Sequence, residues 1–160
     1  MLQHLAETDF EKETLTLGGR TLHFRSIRNI AYCESPEDPI QHMNLFAPEA
    51  YFEGGTVSGY TKDTAPIFCP STVGGYMPGS AAEPGPGCFF KTDAVFEALA
   101  HGYVAAGIGV RGRTSGRSTK EFFEGAAAHE EEAAASGRLC GRAPALIVDL
   151  KAAIHYLRTY

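Results

Sequence analysis

The chain has 160 residues, a length typical of one domain, and its composition, 44% hydrophobic and 21% charged, is that of a globular protein. Its net charge of −5 disfavours nucleic acid and anionic membranes as partners, and no apolar run approaches the roughly 20 residues of a membrane span. The opening residues lack the basic start and apolar stretch of a secretory signal, so we expect a cytoplasmic protein.

The first predicted elements are antiparallel strands. Residues 14–24 alternate apolar and polar side chains around Gly18-Gly19, and this period of two with a tight glycine turn predicts a hairpin. A third short strand is predicted from Met43 to Phe46, closed by Pro48, which has no amide donor for a sheet ladder. The chain is therefore expected to begin with an antiparallel β part.

The next predicted elements form a βαβ unit. Ile67-Phe68-Cys69 is an unbroken apolar run between two prolines, which suits a strand buried on both faces, with Cys69 as a small core residue. Residues 93–101 have helical spacing and stop at Gly102, and a second apolar strand follows from Tyr103 to Ile108. This order predicts that the two strands are parallel neighbours whose following loops lie at the same sheet edge.

The remainder of the chain, from residue 111, is predicted to contain a surface insertion and a helix. Residues 111–142 are rich in Gly, Ser, Arg and Glu and are predicted to be a surface insertion within the single domain, 1–160. Pro144 suits a first helical turn, and the predicted helix runs to Tyr160. Its apolar side chains step by three and four along one face, which a truncated sheet would leave poorly covered: Ile147, Leu150, Ile154 and Leu157.

Residue types that bind metals do not form a recognised site in the sequence. The four cysteines show no C-x-x-C or zinc-ribbon spacing, so we expect reduced thiols. An H-E-x-x-H motif starting at His129 would require histidine where Ala133 stands. The sequence therefore predicts no metal site.

Several short segments between about residue 14 and residue 160 stand out together. In chain order they are Arg28-Asn29-Ile30, Asn44-Leu45-Phe46-Ala47-Pro48, Ala65-Pro66-Ile67, Thr72-Val73-Gly74-Gly75-Tyr76-Met77-Pro78-Gly79, Gly107-Ile108, Arg111 to Thr114, Ala143-Pro144-Ala145 and Val148 to Ile154. This ordered set resembles the bacterial tannases, which are tannin acyl hydrolases, and the related feruloyl-esterase-like enzymes of the α/β-hydrolase fold.

The resemblance implies an α/β fold, namely the N-terminal half of an α/β-hydrolase domain, truncated before the nucleophile elbow. It implies a serine esterase that cleaves galloyl-type or other phenolic esters as small-molecule substrates, with no cofactor. The elbow motif G-x-S-x-G is absent from the 160 residues, and the catalytic serine, acidic residue and histidine follow it in the family. We therefore expect them in a C-terminal half, a second polypeptide or missing segment, and this chain alone to be inactive.

The resemblance also places an oxyanion-hole amide in the loop after the predicted strand 67–69. The donor is the main-chain N–H of Gly75, with Gly74 shaping the turn, and Tyr76 is expected to wall the substrate pocket. The alternative is that the two glycines only make a tight loop and that Tyr76 only packs within it.

Two arginines follow the second predicted parallel strand, at the edge where open α/β sheets bind ligands. Arg111 and Arg113 are expected to bind a substrate carboxylate or galloyl hydroxyls through their guanidinium groups. The alternative is a structural ion pair that fastens the loop, with Asp149 or Glu83 as the acidic partner.

A second function remains open from the sequence. The chain could instead be a non-catalytic α/β module that serves in binding or interaction, because a sheet cut short leaves a strand edge and an apolar helix face to be covered. A polypeptide that accompanies this chain and carries a strand followed by G-x-S-x-G would favour the esterase.

Overall fold

A computed structural model of the chain describes residues 4–36, 40–70, 76–87, 91–112 and 143–159. Two short 3-10 helices, Glu7–Asp9 and Glu49–Glu53, accompany the strands and α-helices. Within these ranges, the helices lack the combination of length and hydropathy that crossing a membrane requires.

The predicted hairpin is confirmed. Strand β1 (Glu11–Leu17) pairs antiparallel with strand β2 (Arg20–Ala31), and Leu15 lies opposite Leu22. The turn residues Gly18 and Gly19 have φ angles of +58° and +77°, a conformation that a side chain would strain. The glycine pair thus fixes the register that places the apolar residues of both strands on one face.

Strand β3 (His42–Pro48) pairs antiparallel with β2 and begins and ends near the predicted bounds. The β2–β3 register shifts between Ile27 and Ile30, where Asn29 adopts a φ of +58°. The Asn29 N–H donates to Oδ1 of Asn44 at 3.0 Å, so a side chain on β3 replaces the ladder bond that the bulge removes.

The predicted βαβ unit is also confirmed. Strand β4 (Ile67–Phe68) precedes two short strands, β5 (Glu83–Pro84) and β6 (Lys91–Thr92), and then helix α1 (Asp93–Ala100) and strand β7 (Val104–Ile108). Strand β7 is parallel to β4 and antiparallel to β3, which gives a five-stranded mixed sheet in the order β1-β2-β3-β7-β4. Strands β5 and β6 form a separate parallel pair.

The prediction that the first parallel strand is buried on both faces was wrong. In the described part of the sheet β4 is an outer strand, Ile67 is 51% exposed, and Cys69 is exposed rather than a core residue. Its apolar residues match those of a central strand, but only β7 lies beside it among the described strands.

Helix α2 (Ala143–Thr159) and helix α1 cover opposite faces of the sheet. Alternation along β3 sends Leu45 to the core beneath α2 and Phe46 to the core beneath α1. The molecule therefore has helices on both faces of a mixed sheet, which is the predicted α/β class. Apart from Arg111 and Gly112, the predicted insertion at 111–142 lies outside the described residues.

The predicted apolar face of α2 is only partly covered in the described structure. Leu150 and Leu157 pack against the core, but Ile147 and Ile154 are exposed. The buried side instead includes Asp149, which is 1% exposed. This carboxylate is buried because it pairs with Arg111, which follows the end of β7.

Candidate functional site

The loop that follows β4 returns to the sheet at the carboxyl end of β7. There Gly79 and Val110 form an isolated antiparallel bridge, with hydrogen bonds of 3.1 Å from the Gly79 N–H and 2.8 Å from the Val110 N–H. The segment Tyr76–Gly79 and Arg111 therefore lie at one edge of the sheet, as the parallel arrangement predicts.

Two glycines let main chain lie directly on main chain at this edge. A Cβ on Gly107 would overlap the backbone of Ala82, and a Cβ on Gly112 would overlap the backbone from Tyr76 to Pro78. Only glycine permits such an approach without displacing one of the two segments. The glycines of β7 and its following turn thus seat the segment from residue 76 to residue 82 across the strand.

Tyr76 is in a strained conformation at the exposed rim of this arrangement. Its φ is +59°, in the left-handed region that side chains other than glycine rarely adopt, and it is 58% exposed. Strain of this kind persists where the surrounding structure enforces it, and it occurs often at ligand sites. The exposed ring is compatible with a pocket wall, and the role itself remains a prediction.

Arg111 forms the ion pair that the sequence analysis gave as the alternative to substrate binding. Its Nη2 atom lies 2.8 Å from Oδ1 of Asp149, and its Nε lies 3.1 Å from Oδ2. The Arg111 main-chain N–H also donates to Oδ2, at 2.8 Å. The side chains are 14% and 1% exposed, so this pair is buried. Glu83, the other possible partner, instead pairs with Arg28, with 3.5 Å between Oε1 of Glu83 and Nε of Arg28.

A buried glutamine that the sequence did not indicate as a site residue also binds the Asp149 carboxylate. Gln41, just before β3, donates from Nε2 to Oδ1 of Asp149 at 2.8 Å and is buried. Nearby, the Tyr32 hydroxyl donates to the Gly109 carbonyl at 2.7 Å. No local pattern indicates the Gln41–Asp149 pair, because 108 positions separate the two residues.

The half-buried Cys33 thiol is affected electrostatically by this cluster. Burial raises its pKa, the Asp149 carboxylate raises it further, and the Arg111 guanidinium opposes both effects. A raised pKa keeps the thiol protonated at neutral pH, which makes it a poor nucleophile. Across the described ranges, no three His, Cys, Asp or Glu side chains come together as metal ligands.

The remaining predicted site residues, Gly74, Gly75 and Arg113, lie outside the described residues. Gly75 directly precedes Tyr76 in the chain, and Arg113 directly follows Gly112. Their proposed roles, like those of Tyr76 and Arg111 toward a substrate, remain predictions.

Solved structures of tannases match this chain over nearly its whole length. The native tannin acyl hydrolase from Lactobacillus plantarum is 36% identical, with a TM-score of 0.79 over 96% of this chain and 30% of its own. The Fusobacterium nucleatum tannase is 37% identical, with a TM-score of 0.77 over 96% of this chain and 29% of its own. Other matching tannin acyl hydrolase structures are complexes with 3,4-dihydroxybenzoate and with ethyl gallate. No family model and no curated protein matches the chain.

The resemblance to tannases is thereby confirmed at the level of fold and of sequence. The chain spans about 30% of the length of these tannases, which is less than the half that the sequence analysis expected.

Proposed function

Since this chain is tannase-like over nearly its whole length, we propose that it forms the oxyanion-loop part of a serine esterase that hydrolyses phenolic, galloyl-type esters. The observation that carries the proposal is the joint match in fold and sequence, 36% identity with a TM-score of 0.79 over 96% of the chain. The complex of a tannin acyl hydrolase with ethyl gallate supports the choice of substrate class.

The chemistry proposed for this part is electrostatic. Nucleophilic attack on an ester carbonyl develops negative charge on the carbonyl oxygen, and a fixed amide donor aimed at that oxygen lowers the barrier by roughly 3–4 kcal/mol. We assign this donor to the Gly75 N–H, with Gly74 shaping the turn that presents it. Support comes from the neighbouring segment Tyr76–Gly79, which is held on β7 by the bridge to Val110.

The other reacting groups of the esterase are proposed to lie outside these 160 residues. The sequence contains no G-x-S-x-G elbow, so the serine nucleophile, its histidine base and the acidic residue would come from additional chain. Under this proposal the 160-residue chain alone does not turn over an ester, and it requires that additional chain as its partner.

A chimera tests the proposal. This chain replaces the matching segment, about 30% of the Lactobacillus plantarum tannase, and hydrolysis of ethyl gallate is measured for the chimera and for the 160-residue chain alone. We expect hydrolysis by the chimera and none by the isolated chain. A chimera that folds, as judged by a cooperative thermal transition, but does not hydrolyse ethyl gallate would contradict the proposal.

A second candidate is a non-catalytic module for binding or interaction. It is favoured by three exposed large apolar residues on α2, Ile147, Val148 and Ile154, because exposed apolar surface can mark an interaction site. The same chimera separates the two candidates, because a folded chimera without hydrolysis is the result that the second one requires.

A further inference from the structure

Arg111 lies between two contacts that seat the loop on the sheet. The residue before it, Val110, exchanges two main-chain hydrogen bonds with Gly79. The residue after it, Gly112, lies against the backbone from Tyr76 to Pro78 so closely that no side chain fits between them. The position of the Arg111 main chain therefore determines where both contacts form.

One carboxylate fixes that main chain. Oδ2 of Asp149 accepts the Arg111 main-chain N–H at 2.8 Å, and Nε and Nη2 of the same residue also donate to this carboxylate. Gln41, just before β3, donates from Nε2 to Oδ1 of the same carboxylate at 2.8 Å. A carboxylate that is 1% exposed requires such donors, because a buried charge without partners is strongly unfavourable.

We propose that Asp149 and Arg111 act as a positioning pair that anchors the segment Tyr76–Gly79 at the carboxyl end of β7. The inference rests on the proposed esterase function to the extent that this segment adjoins the oxyanion donor. The pair does not touch the reacting ester. It acts through the backbone, by holding the strand end on which the loop lies.

The strained backbone of Tyr76 supports the idea that the segment Tyr76–Gly79 is held in place by its surroundings. A tyrosine at φ +59° relaxes toward the extended or helical region when its surroundings allow it. With Gly79 bonded to Val110 and residues 76–78 lying on Gly112, the segment cannot rotate as a unit. If the end of β7 moved away, the bridge to Val110 and the contact with Gly112 would be lost together.

Amide hydrogen exchange on the 160-residue chain tests the anchor directly. In Arg111→Lys, which keeps the charge but loses the planar fork, we expect exchange at the Gly79 and Val110 amides to accelerate roughly tenfold or more, the scale of one lost charge-assisted hydrogen bond. The internal control is a second isolated bridge, Val57–Tyr60, whose two amides should exchange at an unchanged rate.

Two results would overturn the inference. Unchanged exchange at Gly79 and Val110 would mean that the pair does not hold the loop. Equal acceleration at Val57 and Tyr60 would mean that the pair only stabilises the whole fold. Asp149→Asn should give the same selective pattern as Arg111→Lys, and if Asp149→Asn fails to fold, Arg111→Lys alone decides.

Kinetics of the chimera separate this inference from the proposed function. We expect Arg111→Lys to lower kcat for ethyl gallate by roughly tenfold or more, with KM changed less than about twofold, because misplacing an aligned group affects the transition state more than binding. Arg20→Lys, in the exposed pair with Glu97, is the matched control and should change neither constant. If exchange accelerates only at the Gly79 and Val110 amides but the parent chimera is inactive, the proposed function is contradicted and the anchor stands. If the chimera is active and Arg111→Lys leaves its kcat unchanged, the positioning role is overturned.

Discussion

Gly79 and Val110 exchange two main-chain hydrogen bonds, of 3.1 and 2.8 Å, without belonging to any strand of the sheet. An isolated bridge has no ladder on either side to support it, so its geometry depends on the residues adjacent in the chain. On one side these are Met77 and Pro78, and on the other Arg111 and Gly112. Substitutions at or next to those neighbours should therefore change how firmly the bridge holds the segment Tyr76–Gly79 on the end of β7.

Gly75→Pro in the chimera should lower kcat for ethyl gallate about 10²–10³-fold, because proline removes the N–H proposed as an oxyanion donor. Gly75→Ala keeps the N–H and is the matched control, so its kcat should fall much less. Thermal unfolding of both variants shows whether the loop tolerates the change. A folded Gly75→Pro variant with nearly full kcat would contradict the assignment.

Asp149→Ala should destabilise the chain by about 3–5 kcal/mol, because it removes the carboxylate from the buried pair with the Arg111 guanidinium. Urea denaturation measures the change. The control is Lys62→Ala, in an exposed pair with Glu7 at 3.4 Å, which should alter stability by no more than about 0.5 kcal/mol. Similar losses in the two variants would show that burial of the Arg111–Asp149 pair has no energetic consequence.

Gly112→Ala should destabilise the chain by about 1–3 kcal/mol, the usual cost of forcing an extra carbon into a packed site. The added Cβ would overlap the main chain of Pro78, which cannot move without breaking the adjoining bridge. Gly19→Ala is the contrasting variant: its Cβ meets nothing within 4 Å, and its cost arises only from the φ of +77°. Crystallographic or NMR displacement of residues 76–78 should occur in Gly112→Ala and not in Gly19→Ala.

Glu13 should make stability depend on pH. The hydrogen bond from the Arg28 guanidinium lowers the pKa of Glu13 below its ordinary value of 4.5, against the opposing effect of burial. A carboxyl group with a lower pKa in the folded chain stabilises it above the unfolded pKa, and that contribution is lost as pH falls through the folded pKa.

The measurement is the urea midpoint of the wild type and of Glu13→Gln between pH 7 and pH 3. The difference between the two proteins should be largest near neutral pH and should shrink below about pH 4.5. Glu11→Gln, an exposed substitution on the same strand, serves as the control. A difference that stays constant over this range would show that the Arg28 contact does not shift the Glu13 pKa.

Local patterns in the sequence carried much of the fold. The hairpin was predictable because alternation of apolar residues and the Gly18-Gly19 turn act over a few residues. The parallel β4–β7 pair followed from the strand, helix, strand order, which leaves little choice of topology.

What failed depended on contacts between distant residues. The sequence offered Asp149 and Glu83 as alternative partners of Arg111, and only the fold shows that Asp149 is the partner, that the pair is buried and that Gln41 also binds this carboxylate. The apolar spacing likewise did not show which residues of that face are covered: Leu150 and Leu157 pack against the core, whereas Ile147 and Ile154 are exposed. The apolar run at Ile67 likewise indicated a central strand, although burial depends on which strands lie beside it.

The Arg111–Asp149 contact joins positions that are 38 residues apart. In the unfolded chain, the entropy lost when two positions are brought together grows only with the logarithm of their separation, by about 0.6 kcal/mol per doubling. Insertions or deletions between the two residues are therefore nearly neutral for the ion pair, provided that its two ends can still reach each other. The ion pair should therefore tolerate changes in the number of residues between its two partners.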